Sequence, residues 1–149
     1  MTGDLDERGI DALLRSESRA HLACVLPDGW PYVVPIAYAY DGFAFYAYSA
    51  DGLKLDALRR QPRACIAVDH VIDAATWASV IAWGTFRELD GLEAADAVAR
   101  ISARLHTVAA ADAASDAAEH TYVARIAGVG VTYRIDVTER SGRYSTAGG

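Results

Sequence analysis

An antiparallel sheet or barrel carrying a few short helices is the fold class this sequence predicts, and three observations predict it. Three strand-like runs follow one another through two tight turns, each marked by an Asp-Gly pair, Asp28-Gly29 and Asp41-Gly42. About six β-rich runs can be counted along the chain. The helical periods are few and fall between pairs of strands, which is not the βαβ rhythm of a doubly wound fold.

The elements follow in order. Residues 4–15 place Leu5, Ile10, Leu13 and Leu14 near helical spacing, predicting a first helix despite Gly9. Ser16 and Ser18 break that pattern, and residues 1–18 form the N-terminal helical segment. A strand is expected over 20–26, a turn over 27–31, a second strand over 32–40 and a third over 43–49. The period then changes: Leu53, Leu55 and Leu58 among charges read as a helix stopped before Pro62. Strand character returns over 63–70, a loop spans 71–76, and a long strand covers 77–89 with Gly84 as a bulge or close-approach point. Residues 91–118 put Leu92, Val98, Ile101, Leu105 and Val108 on a helical period, giving one or two helices. Alternation over 121–139 closes the sheet, and 140–149 read as a flexible tail.

The chain has 149 residues, which suits one domain, 1–149, with a real core. Apolar residues make up 52%, and no apolar run approaches the roughly 20 residues of a membrane helix. The start, MTGDLDERGI, is acidic and polar, so a cytoplasmic address is expected and no membrane partner. Net charge is −6, with 14 basic against 20 acidic residues, which argues against a nucleic-acid partner. Cys24 and Cys65 sit in strand-like runs outside any C-x-x-C, and read as buried free thiols. His21, His70, His106 and His120 show no metal-ligand spacing, so no metal is expected. Phosphate-binding glycine motifs and a nucleophile elbow are both missing. Most carboxylates lie on helix faces and loops, so no catalytic side chain is assigned, and any chemistry falls to a bound cofactor.

One stretch bears two readings. In YAYSADGLKLDALRR, Tyr48 and Ser49 end a strand, Asp51-Gly52 turns, and Lys54, the only lysine of the chain, opens a helix. Ser49 or Asp51 can simply cap that helix, leaving Lys54 solvated. Alternatively the Ser49 hydroxyl, the amides beside Gly52 and the Lys54 ammonium supply what a phosphate monoester needs.

The succession PYVVPIAYAY, FYAYS, ADGLKLDALRRQPRACIAV and WASVIAWG resembles the pyridoxamine 5′-phosphate oxidase-like split-barrel flavoproteins, in particular the branch containing the nitroimidazole-resistance proteins. The resemblance runs from about Arg19 to Leu89, with a weaker echo in GVTYRIDVTERSGRY. It implies a six-stranded antiparallel split β-barrel of Greek-key type and an obligate homodimer with FMN in a groove between subunits. On it, Pro35, Ile36, Ala37 and Tyr38 line the isoalloxazine. Tyr48, Ser49 and Lys54 hold the phosphate, and Trp77, Ser79 and Val80 add contacts. Tyr48 stands where the family often has His, and Leu53 where it often has a second basic residue.

The implied function is an FMN-dependent oxidoreductase acting on a small molecule. A deazaflavin- or haem-binding relative and a non-catalytic flavin- or ligand-binding module are the alternatives. Trp77 and Trp83 could stack on a ligand or pack an interface, whereas Trp30 reads as packing.

Overall fold

The computed structural model describes residues 1–111 and 130–148. The elements are β1 (Thr2–Asp4), α1 (Glu7–Ser16), β2 (Arg19–Val25), β3 (Pro31–Ala37), β4 (Ala39–Tyr40), β5 (Ala44–Ala50), α2 (Leu53–Arg60), β6 (Arg63–Val71), β7 (Trp77–Glu88), α3 (Gly91–Ala111) and β8 (Gly130–Ser145). The strands form one antiparallel sheet in the order β3-β2-β6-β7-β8-β5-β4, with β1 added alongside β8.

The run 32–40, expected as one strand, divides at Tyr38. Its first part pairs with β2 at one end of the sheet, and its second part, β4, pairs with β5 at the other. The amide of Tyr38 turns to the carbonyl of Ser18 between the two. One continuous piece of chain therefore belongs to both sheet edges, and the curled sheet is a split barrel.

Alternation explains the inner face. Ala20, Leu22 and Cys24 of β2, Ile66 and Val68 of β6, Val80 and Ala82 of β7, Phe45 and Ala47 of β5, and Tyr133 and Ile135 of β8 all point into one core. Gly29 and Gly42 close their hairpins at positive φ, 88° and 98°, which glycine adopts without strain. Gly84 marks a register shift between β7 and β8. A Cβ there would lie 2.3 Å from the Asp136 carbonyl oxygen, so a side chain is excluded.

Helix α1 begins at Asp6, whose carboxylate accepts from the Gly9 amide at 2.7 Å, and it buries Ile10 and Leu14. Helix α2 turns Leu55, Ala57 and Leu58 inward. Helix α3 buries Ala97, Ile101 and Leu105 against Ala44, Tyr46 and Leu89. The stripe expected from the sequence included Leu92, but that side chain is 89% exposed. Ala97, outside the expected stripe, is fully buried in this contact beside Ile101 and Leu105 of that stripe.

Two expectations are corrected. The flexible tail begins later than 140: Arg140–Ser145 belong to β8, paired with both β7 and β1. Serine and glycine hide this strand, and the glycine has a reason. A Cβ on Gly142 would meet Ile10 and Leu5 at 2.9 Å, so glycine lets α1 lie on the strand. A short strand, β1, also precedes α1. The expected helical residues 112–118 and strand residues 121–129 lie outside the described residues, as does His120.

Candidate functional site

The continuous ladder breaks at one place. Before Tyr38, β3 has only β2 as a strand neighbour, while the C-terminal half of β5 has only β8. Continuing the β4–β5 register, in which Ala39 faces Tyr46, sets Ala37 opposite Tyr48 and Pro35 opposite Ala50. The two strands approach each other there without pairing. Backbone N–H and C=O groups along this split lack a strand partner, and such edges offer hydrogen bonds to a planar polar ligand. Helix α2 follows directly from the end of β5. Along the chain this joins Tyr48 and Ser49 to the α2 start, with β3 in contact with β5 across the split.

At that start no side chain caps the helix. The Gly52 amide bonds back to the Asp51 carboxylate at 3.0 Å, and the Ser49 hydroxyl turns to its neighbour's carbonyl at 3.1 Å. The first helical hydrogen bond runs from Asp56 to Gly52, so the amides of Leu53, Lys54 and Leu55 have no intrahelical acceptor. An uncapped helix end with orphan donors fits an anionic group such as a phosphate.

The cations are arranged differently from what the sequence suggests. Lys54 is half-buried, not solvated, and its ammonium lies 6.0 Å from the centroid of the fully buried Tyr133 ring. Burial pulls its pKa below the ordinary lysine value. Leu53 occupies the outward position and is 51% exposed. Arg59, one turn further on, is held between Asp51 at 2.9 Å and Glu88 at 3.0 Å. That clamp was invisible in the sequence, because Glu88 arrives from the far end of β7. The residues present fit the phosphate end of a flavin through amides and Ser49, with Lys54 as a cation that must turn outward to reach it.

The remaining expected residues lie elsewhere. Tyr38 is buried in the core, and its hydroxyl donates to the Leu14 carbonyl at 2.7 Å. Val80 is buried on the inner face of β7. Trp77 and Ser79 lie on the outer face of β7, half-buried, with Ser79 between Asp69 and Arg143. Strands β2 and β6 separate them from β3, and β8 separates them from β5.

They do share a face with much else that is apolar. Cross-strand neighbours in an antiparallel sheet project to the same side. Val33, Ala23, Cys65 and Trp83 form one row across β3, β2, β6 and β7, and Pro35, His21, Ala67 and Ile81 form the next. Val33 is 58% and Trp83 42% exposed, and no element of the chain among the described residues lies over them. Cys65 belongs to this outer row and is half-buried, unlike Cys24, which is in the core. Burial pushes both thiols above their ordinary value, which leaves them poor nucleophiles near neutral pH. Among the described residues no cluster of three or more His, Cys, Asp or Glu could hold a metal, and no helix is long and apolar enough to cross a membrane.

Comparison with known proteins agrees with this architecture. The model of the pyridoxamine 5′-phosphate oxidase family matches residues 6–144. The crystal structure of an FAD-binding protein from Mesorhizobium loti superposes with a TM-score of 0.71 at 28% identity, covering 98% of this chain and 99% of that one. A candidate 5-nitroimidazole antibiotic resistance protein from Bacteroides thetaiotaomicron shares the fold at TM-score 0.72 and 16% identity, over 97% and 87% of the chains. So does a haem storage protein from Vibrio cholerae, at 0.70 and 11% over 93% of each. An uncharacterized protein of Rhizobium meliloti is 37% identical over 70 residues, a stretch spanning about half of each protein (47% and 46%). With a family model covering nearly its whole length and a split barrel underneath it, this chain belongs to the pyridoxamine 5′-phosphate oxidase family.

Proposed function

We propose that this protein binds a flavin, as FMN, in the split between β3 and β5, and that it works as a homodimeric oxidoreductase on a small-molecule substrate. The observation that carries the reading is the break in the ladder: β3 and the end of β5 are in contact but unpaired, and β5 runs directly into the uncapped start of α2. In this reading the β3 edge offers backbone hydrogen bonds to the ring. Ser49, the amides of α2 and an outward-turned Lys54 hold the phosphate. The flavin, when bound, supplies the two-electron redox chemistry. The chain's own part is to bind, to orient and to exclude water.

Dimerisation accounts for the rest of the expected site. Trp77 and Ser79 lie on the outer apolar face. A second copy packed on that face brings one chain's β7 surface towards the other's β3 edge. The FAD-binding relative from Mesorhizobium loti supports the flavin class. Haem is the second reading, and one residue favours it: the exposed His21, in the outer row beside Pro35, is the imidazole that would hold the iron.

The absorption spectrum of the purified protein, with and without added FMN, tests the proposal. Oxidised-flavin bands, or saturable uptake of FMN, are expected. A Soret band, or a protein that takes up no flavin, rejects it.

A further inference from the structure

The geometry points to a second ligand site, independent of the split: the groove between α1 and α3 binds a small organic carboxylic acid with an apolar body. The groove, open to solvent along one side, offers about 310 Å³ and ends on β4. That volume suits one ring-sized molecule. Leu14 and Ala39 at its base are buried, and its accessible apolar surface comes from Ala103 and the ring of Tyr40.

Three guanidinium groups from two helices converge on this space, Arg15, Arg100 and Arg104. Two of them have an acid partner on their own helix. Arg15 pairs with Asp11 at 2.7 Å, and Arg100 pairs with Asp96 at 3.1 Å. Both also lie against tyrosine rings, Arg15 5.8 Å from the Tyr40 centroid and Arg100 5.5 Å from that of Tyr46. Arg104 differs. It donates to the Ser16 carbonyl at the end of α1, and among the described residues it has no carboxylate partner. Its Nε is buried and makes no hydrogen bond. The single acid lining the groove, Glu17, is drawn aside to His70 Nδ1 at 2.8 Å.

Asp11, Asp96 and the nearby Asp41 offset Arg15 and Arg100, which leaves Arg104 as the cation that a bound anion pairs. A guanidinium takes a carboxylate in a planar fork and stacks on a flat apolar body. The apolar floor selects an acid carrying a ring or branched chain over a bare inorganic anion, whose hydration the floor cannot replace.

Calorimetric titration of the protein as isolated tests this, with sodium benzoate as the probe and benzamide and inorganic phosphate as controls. Saturable binding of one benzoate per chain is expected, with benzamide and phosphate each at least about tenfold weaker, as for loss of a charged hydrogen bond. Arg104→Gln should weaken benzoate by about the same factor. Ala103→Phe, at an exposed helix position, should fill the groove and abolish binding while leaving the melting temperature near that of wild type. Absence of saturable benzoate binding overturns the inference, as does equal affinity for benzamide or phosphate. Binding unchanged in both variants also overturns it. So does binding that survives Ala103→Phe but is lost in Lys54→Met, because that places the acid in the split.

Discussion

The outer side of the sheet divides into two regions of similar composition and opposite fate. Over β5 and β4, the outward residues Ala39, Ala44 and Tyr46 are covered by Ala97, Ile101 and Leu105 of α3 and are at most 7% exposed. Over β3, β2, β6 and β7, the outward residues Val33, Cys65, Ile81 and Trp83 have nothing of the chain above them among the described residues. Both regions carry strand residues that are apolar on the two faces, the pattern of a sheet buried on both sides. One region finds its cover locally, in a helix that follows β7 directly. The other does not, and a contiguous apolar patch left open marks an interaction surface. Apolar alternation therefore states that a face is to be covered and leaves open by what.

The largest expected effect breaks the second region. Ile81→Glu places an uncompensated charge where the proposed dimer closes, which costs about 3–5 kcal/mol. Sedimentation equilibrium should show the wild type as a dimer and the variant as a monomer, with flavin affinity falling in parallel. A variant that remains dimeric removes the open face from the interface.

The first region responds differently. Ile101→Ala removes a side chain only 8% exposed from the α3 contact. It should destabilise the chain by about 2–5 kcal/mol in urea unfolding, with association of the folded protein unchanged. If Ile101→Ala dissociates the dimer as strongly as Ile81→Glu, the two regions are not independent and the comparison fails.

The smallest effect concerns the end of the barrel where α2 meets the split. Burial lowers the Lys54 pKa, so between its folded value and about 10.5 the unfolded chain binds more protons than the native one. Stability of the flavin-free protein should rise with pH through that window, and below it the burial penalty stands in full. Lys54→Met should raise the melting temperature slightly at neutral pH and flatten its rise towards pH 10. The same variant should weaken FMN far more than riboflavin, which has the ring without the phosphate. An unchanged FMN-to-riboflavin ratio removes Lys54 from the phosphate end of the site.

Much of this was legible in the chain. The two Asp-Gly turns set two hairpins, and Asp41 shows how: its carboxylate accepts from the amides of Phe43 and Ala44 and from the Tyr46 hydroxyl. Those partners lie within five residues, where sequence speaks directly. Gly84 could be read as a bulge because a lone glycine in a strand needs a reason.

The direction of Lys54 could not be read, because it depends on Tyr133 and Cys24, distant in the chain and brought under α2 only by the closed sheet. The same holds for Arg59 and its clamp to Glu88, for Gly142 under α1, and for the meeting of Arg15 with Arg104 across two helices. By itself the sequence determined periodicity, turns and the chemistry that is missing, since these rest on covalent neighbours and local backbone preference. The tertiary structure decided which apolar face stays open and which cations are paired, buried or left without a partner. Burial and electrostatic pairing depend on distance in space, and that distance exists only once the barrel has closed.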